Sequence, residues 1–213
     1  ITHNVTLAAS YQCINLYVGY SHRLDDMIQH TVAYSDDDPT IAMFSILNGT
    51  AYDRLVASIN ISPTIGCWTP QLGLAIQKQW FEGETPQGKE NFHKPMATVT
   101  FRNNFKLPKG ILLDVNGSWN TKGYSRNVYL EEHILDMNAS LYKSFLKDNL
   151  SVRLRASNIF EPKQVATIFS GIRVMRNTLF SHRQFTFTLQ YKFNSTKSKY
   201  KGTGAGESQK SRM

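Results

Sequence analysis

The sequence has little of several features on which soluble enzymes and helical membrane proteins rely. Its 213 residues contain only two cysteines, Cys13 and Cys67, whose spacing matches no metal-binding or redox motif. No run of 18 apolar residues occurs, which excludes a transmembrane helix. The six histidines form no H-x-x-x-H or H-E-x-x-H pair. We therefore expect no catalytic residue, no metal and no cofactor. One disulfide is possible, but two unrelated thiols are the favoured interpretation.

The charge pattern argues against a nucleic acid partner. The chain has a formal net charge of +8, yet its Lys and Arg residues are spread along it rather than clustered. Nucleic-acid-binding surfaces concentrate basic residues on one face or in one segment. Aromatic residues, by contrast, are abundant at 12% of the chain, and Tyr and Phe supply most of them.

Residues 184–193 show the clearest pattern in the chain. Apolar side chains occupy every second position, and Gln, Thr and Lys occupy the positions between them. About ten residues of such alternation cross a bilayer as a tilted strand. The pattern predicts a membrane strand whose even face lines a polar lumen; an edge strand of a soluble β-domain is the alternative. The side chains predicted to face lipid are Phe185, Phe187, Leu189, Tyr191 and Phe193.

The same alternation recurs about nine times and predicts an all-β, antiparallel, up-and-down transmembrane barrel. The predicted strands cover residues 5–11, 14–34, 41–61, 71–82, 98–106, 111–120, 135–142, 150–175 and 184–193. Short turns near 12–13, 62–70, 108–110 and 147–149 alternate with longer polar reversals near 35–40, 83–95, 129–132 and 175–178. This asymmetry is typical of outer-membrane barrels, in which the short turns lie in the periplasm.

Nine strands are too few and odd in number for the larger barrel that we expect. We predict that residues 1–194 form a portion of a larger barrel, open as an isolated fragment, and that residues 195–213 form a disordered, polar, basic tail. Aromatic residues gather near both predicted ends of the strands, which indicates two interfacial girdles. They are Phe105, Phe145, Tyr191 and Phe193 at the short turns and Trp80, Trp119 and Tyr129 at the opposite end.

Three shorter motifs have simpler explanations than the functions they suggest. Seven N-x-S/T sequons occur, but a polar strand face explains several of them, at Asn60, Asn116 and Asn138. Asp25 and Asp26 with His22 resemble the carboxylate–histidine sites of outer-membrane proteases, although a second acidic pair is absent. The acidic residues 36–38 are typical of a solvated turn rather than of a calcium loop.

Three segments resemble the C-terminal part of TonB-dependent outer-membrane receptors of the Bacteroidetes type. YKFN at 191–194, followed by YKGTGAGESQKSRM at 200–213, resembles the end of these receptors. DNLSVRLRASNIFEP at 148–162 is similar to their penultimate strand. YDRLVASINISPTIGCWTP at 52–70 has the same order of strand, Pro-rich turn and Trp. The resemblance implies that residues 1–194 are the C-terminal portion of the barrel.

The resemblance implies a location, a function and partners. In that family, a barrel of twenty-two strands surrounds an N-terminal plug, which the inner-membrane TonB complex pulls to admit a nutrient such as a glycan or a siderophore. The expected location is the bacterial cell outer membrane. The expected partners are its lipid, an N-terminal barrel and plug region, and TonB through that region. An adhesin-like or structural outer-membrane protein is the alternative, followed by an outer-membrane hydrolase.

Four basic residues occupy the predicted polar face close to the short turns: Arg102, Arg153, Arg155 and Lys192. An arginine facing lipid near the bilayer centre would be costly, so the lumen is the acceptable side. The resemblance implies that this positive wall meets acidic groups of the plug. The alternative is an ion-pair network within the wall, with Asp136 as a partner for Arg153 and Arg155.

Overall fold

The computed structural model describes residues 1–25, 27–35, 41–49 and 51–193, and these residues are almost entirely extended. One short 3-10 turn, Pro108–Gly110, joins two strands. No helix in the described part is long and apolar enough to cross a membrane. The strands are β1 Thr2–Tyr11, β2 Ile14–Arg23, β3 Met27–Ala33, β4 Ala42–Asn48, β5 Tyr52–Ile61, β6 Trp68–Trp80, β7 Glu82–Thr85, β8 Gly88–Asn91, β9 Met96–Leu107, β10 Ile111–Asn120, β11 Gly123–Ser125, β12 Val128–Leu130, β13 Ile134–Phe145, β14 Leu150–Ser157, β15 Lys163–Ser170, β16 Arg173–Phe180 and β17 Gln184–Tyr191.

Nine of these strands form one antiparallel sheet, called the main sheet here. Its order is β1-β2-β5-β6-β9-β10-β13-β14-β17, so each strand pairs with its nearest main-sheet neighbours along the chain. Within the described residues, β1 and β17 are edges that do not pair with each other. The prediction of an all-β, antiparallel, up-and-down sheet of nine strands that stays open is confirmed.

The register of the main sheet separates its side chains into an apolar face and a polar face. Cross-strand partners fall in rows, because opposite residues of an antiparallel pair point to the same side. One row on the apolar face contains Ile59, Leu74, Val99, Trp119 and Leu135. The next row, on the polar face, contains Asn60, Gly73, Thr100, Ser118 and Asp136.

The other eight strands belong to the four longer connections and form three small sheets. Their orders are β3-β4, β7-β8 and β11-β12-β15-β16. Each of the ranges 14–34, 41–61 and 150–175 was predicted to form a single long strand. This prediction was wrong, because each range is divided between a main-sheet strand and a strand or strands of a small sheet. Asp25, Asn158 and Glu161 have positive φ angles, between 51° and 54°, which end an extended strand. The predicted reversal near 175–178 lies instead at Gly171 and Ile172, between β15 and β16.

The best-packed core lies in these connections and at the adjoining end of β5. We call the eight strands of the three small sheets the cap. Tyr52, Phe81 and Phe92 are at most 7% exposed, and Ile28, Tyr124 and Phe169 pack against them. Their rings meet at centroid distances of 5.0 to 6.2 Å. The cap therefore joins all four long connections into one packed unit at one end of the main sheet.

The predictions for the two cysteines, for residues 36–38 and 195–213, and for Tyr129 have different outcomes. Cys13 and Cys67 each carry a free thiol. The acidic residues 36–38 and the tail at 195–213 lie outside the described residues. Tyr129, which was predicted to belong to an aromatic girdle, lies in β12 of the cap, where its ring packs 4.8 Å from that of Tyr124.

Candidate functional site

The polar face of the main sheet carries a cavity of about 550 Å³. Its polar lining comes from β5, β6, β9, β10 and β13, and from the turn that follows β5. Amides and hydroxyls predominate, with one cation and one carboxylate among them. The polar lining residues are Asn60, Ser62, Gln71, Thr100, Arg102, Asn116, Ser118, Asp136 and Asn138. Such a lining offers many hydrogen-bond donors and acceptors and no reactive nucleophile–base pair.

Two features keep this cavity open and polar. Gly73 lies at its centre, and a Cβ atom there would stand only 2.6 Å from Thr100 Oγ1 and 2.8 Å from Asn60 Oδ1. A larger residue at this position would therefore displace polar groups that converge on the cavity. Asp136 Oδ2 accepts a hydrogen bond from Asn138 Nδ2 at 3.2 Å. Its Oδ1 is buried and has no hydrogen-bond partner among the described residues.

The structure distributes the four predicted basic residues along the polar face. Arg102 stands between Gln71 and Asn116 and lines the cavity. Arg155 stands between Ser140 and Thr186 on β14, and two strands, β10 and β13, separate it from the strand of Arg102. Lys192 follows β17, and its backbone N–H donates to the Asn149 carbonyl at 2.8 Å. Only one of the four therefore lies at the cavity.

Arg153 and Arg155 do not form the ion pair with Asp136 that the wall-network alternative required. β14 pairs with β13 only from Ala139 onward, so Asp136 lies beyond the end of that ladder and faces Ser118 instead. The Arg153 guanidinium lies 5.3 Å from the centroid of the Tyr142 ring, its cross-strand neighbour. Neither arginine has an ion-pair partner in the described part of the chain.

The opposite face of the main sheet is apolar and open. The five side chains predicted to face lipid are 48–82% exposed and lie on the same side as Leu113, Leu141 and Leu154. No helix or second sheet of the described residues covers them. An uncovered apolar face of this extent is unusual for a soluble protein. Their contact with lipid itself stays a prediction.

Aromatic rings mark both ends of the apolar face. Trp68 stacks on Phe105 near the short turns, with ring centroids 5.9 Å apart, and its Nε1 donates to Asn103 Oδ1 at 3.1 Å. Trp80 ends β6 at the other end, and Trp119 stacks on His133 at 5.6 Å. This arrangement matches the girdles of outer-membrane barrels, in which aromatic rings lie at both interfaces.

The family model described as outer membrane protein beta-barrel family matches residues 1–191. The chain belongs to that family. No curated protein and no solved structure matches it. Family membership places this barrel protein in the bacterial outer membrane, as the alternating strands predicted.

The histidine proposed for a hydrolytic site has a different partner in this barrel protein. His22 Nδ1 lies 2.6 Å from Asp53 Oδ1 on the neighbouring strand, and the Tyr20 hydroxyl donates to the same oxygen at 2.7 Å. These side chains lie on the apolar face near the cap, away from the polar cavity. Asp26 lies outside the described residues, so a pairing of Asp25 and Asp26 with His22 is not part of the observed site.

The buried hydrogen bonds that hold the cap together were not predicted from the sequence. Gln79 is 3% exposed, and its amide makes three hydrogen bonds of 2.7–2.8 Å to the backbone of Phe92 and Arg126. Thr31 in β3 is fully buried and shares a hydrogen bond of 2.9 Å with Ser170 of β15. Burial among the cap aromatics raises the pKa of Tyr124. No local sequence signal distinguishes these residues from other polar residues of the strands.

A second joint ties β12 to the β15–β16 hairpin through Glu131. Its carboxylate accepts hydrogen bonds from Arg176 Nε at 3.0 Å and from Arg176 Nη2 at 2.6 Å, and it also accepts one from the Thr167 hydroxyl. The Arg176 guanidinium, and secondly the Thr167 hydroxyl, hold the pKa of Glu131 below its ordinary value of 4.5.

We predict that this joint weakens in acid. A carboxyl group with a depressed folded-state pKa stabilises the cap above its unfolded pKa, and that stabilisation is lost as the pH falls through the folded pKa. Replacing Glu131 with Gln should therefore speed amide exchange in β16 at pH 7 but change little near pH 2. Hydrogen exchange at the two pH values tests this.

The matched control for Glu131 is Glu132→Gln. Glu132 pairs with Lys163 at 3.6 Å, and both side chains are nearly half exposed, so its loss should have a small effect. An equal effect of both variants at pH 7, or an undiminished Glu131→Gln effect near pH 2, would contradict the role of this joint.

Proposed function

We propose that this chain is the barrel-wall segment of a TonB-dependent receptor that imports a nutrient through the outer membrane. The observation that carries this proposal is the polar face, where Arg102 lines the cavity and neither Arg153 nor Arg155 has a carboxylate partner in the described part of the chain. A wall of this kind suits passage of a polar solute and contact with an acidic plug. The proposed activity is binding and passage, without covalent chemistry.

The two unpaired edges of the main sheet support this proposal. Within the described ranges, β1 and β17 each have one side whose backbone N–H and C=O groups have no sheet partner. In hydrocarbon each such group costs several kcal/mol, so a membrane sheet closes on itself or on further strands. We infer that an N-terminal barrel and plug region of the same receptor supplies those strands, and that TonB acts through that region. A 213-residue chain that alone forms a closed, heat-modifiable barrel would contradict this inference.

The basic wall is also consistent with contact to an acidic plug. Arg153 and Arg155 project from one strand, and Arg102 and Lys106 project from the same face of β9. Two carboxylates, Asp114 and Asp148, have hydroxyl donors from their own part of the sheet. Asp114 accepts from Ser140 at 3.1 Å, and Asp148 accepts from Ser144 at 2.6 Å. The arginines thus remain available for acidic groups supplied from outside the main sheet.

The test is to replace Arg153 and Arg155 together with Gln in the complete receptor. We expect normal barrel folding and about tenfold weaker plug retention, because two charge-assisted contacts are lost; that factor corresponds to about 1.4 kcal/mol. Plug retention is measured by protease access to the plug, and uptake by accumulation of the nutrient. The double Lys variant keeps both charges and serves as the control. Unchanged plug retention in the double Gln variant would contradict the proposed role of Arg153 and Arg155.

A further inference from the structure

The apolar face of the main sheet contains only three charged side chains among the described residues: Asp53, Lys78 and Lys143. Asp53 is bonded to Tyr20 and His22. Lys78 and Lys143 have no carboxylate partner in the described part of the chain. Both are flanked by apolar neighbours, with Leu55 opposite Lys78 and Ile111 opposite Lys143. A lysine in such surroundings needs another source of negative charge.

The two lysines share one geometry at opposite ends of the main sheet. Each lies two residues before the aromatic residue that ends its strand, Trp80 in β6 and Phe145 in β13. Lys78 Nζ lies 5.1 Å from the centroid of the Trp80 ring. Lys143 Nζ lies 4.7 Å from the centroid of the Phe145 ring. Both ammonium groups thus turn toward the nearer strand end, as snorkelling side chains do.

The spacing of aromatic residues on β6 places these ammonium groups at headgroup depth. Trp68 and Trp80 bracket the strand, and the twelve residue steps from one to the other rise about 40 Å at 3.3 Å per residue. A strand tilt of about 40° reduces this to about 30 Å across the membrane. That is the thickness of the hydrocarbon core, so the rings lie at its two boundaries. Beyond each boundary lie the lipid phosphates.

We propose that Lys78 and Lys143 each bind the phosphate of an anionic membrane lipid, one in each leaflet. The adjacent ring packs against the lipid's glycerol and upper acyl chain, while the ammonium meets the phosphate. Lys78 binds a lipid in the leaflet next to the cap, and Lys143 binds a lipid in the leaflet next to the short turns. This inference rests on the proposed orientation of the apolar face toward lipid. Together the two sites set the depth of the barrel in the bilayer.

The three native tryptophans, Trp68, Trp80 and Trp119, all lie on the apolar face and provide the readout. The complete receptor is reconstituted in vesicles that contain brominated phosphatidylglycerol or brominated phosphatidylcholine, which quench nearby tryptophans. Replacing Trp68, Trp119 and every tryptophan that the complete receptor carries outside this chain with Phe leaves Trp80 as the reporter for Lys78. A background without native Trp but with Phe145→Trp reports on Lys143.

We expect each reporter to show about fivefold preference for phosphatidylglycerol, which corresponds to about 1 kcal/mol per lysine. Lys78→Gln should remove the preference at Trp80 only, and Lys143→Gln only at the residue 145 reporter. Arg in place of either Lys should retain it. Lys106→Gln is the matched control, because this exposed lysine lies at the same end as Lys143 but on the polar face. Heat-modifiable mobility verifies that each variant folds.

Two different results would overturn the proposal, and they separate its parts. Equal quenching by both lipids, or a preference that survives both Gln variants, would reject phosphate binding and leave the orientation of the apolar face intact. Reporters that neither brominated lipid quenches would reject that orientation itself, and the proposed barrel wall with it.

Discussion

Replacing Gln79 with Glu should destabilise the cap by about 3–5 kcal/mol, the cost of placing an uncompensated charge in a buried network. Gln79 Nε2 donates to the carbonyls of Phe92 at 2.8 Å and Arg126 at 2.7 Å. A carboxylate oxygen in that position would instead face two carbonyl oxygens. The substitution hardly changes the shape of the side chain, so the effect isolates the charge and the two lost donors. Amide exchange in β11 and β12 and the unfolding midpoint measure it.

The chain supplies a matched control two residues away. Gln77 lies on the same face of β6, but it is more exposed, and its Oε1 accepts from Arg54 Nη2 at 2.8 Å. Glu at that position would strengthen this contact, so we expect a change within about 0.5 kcal/mol. The Gln79→Glu effect should also shrink in acid, because a protonated carboxyl can donate one of the two lost bonds. Equal stability of the two variants at pH 7 would contradict the role of Gln79.

Placing an arginine at Leu74 should cost about 2–4 kcal/mol, as charged residues do at the midplane of a membrane strand. Leu74 lies halfway between Trp68 and Trp80 on β6, and its row neighbours are Ile59 and Val99. An arginine there is too far from either boundary for its guanidinium to reach headgroups without distorting the bilayer. Denaturant unfolding of the complete receptor in vesicles measures the loss.

Two control substitutions test whether the cost of an arginine depends on the face of the main sheet that carries it rather than on the size of its side chain. Leu74→Phe enlarges the side chain and keeps the face apolar, so it should be tolerated. Ser58→Arg introduces the same charge on the polar face, one residue from the Leu74 row, and should cost little because water reaches that side. A cost for Ser58→Arg as large as that for Leu74→Arg would remove the distinction between a lipid face and a lumen face.

Local sequence patterns are sufficient to predict the main sheet, because alternation and short turns each depend on neighbouring residues. Alternation over residues 184–193 depends only on the two-residue period of a strand, and Pro108-Lys109-Gly110 closes its turn within three residues. Nearest-neighbour pairing in the up-and-down order then follows from short connections. For the same reason, the nine main strands could be predicted from the chain, although three of them were predicted too long.

The tertiary structure decided the cap and the cavity, because both depend on contacts between distant segments. Thr31 and Ser170 share a hydrogen bond across 139 positions of the chain, and no local pattern in β3 or β15 indicates that pairing. For this reason, the alternation pattern predicted main-sheet strands that continue through residues which in the structure leave the main sheet. Likewise, Arg102 and Asp136 line one cavity only because the register of β9, β10 and β13 aligns their rows. Alternation assigns a residue to a face, whereas register, set by pairing along the whole sheet, assigns it to a neighbour.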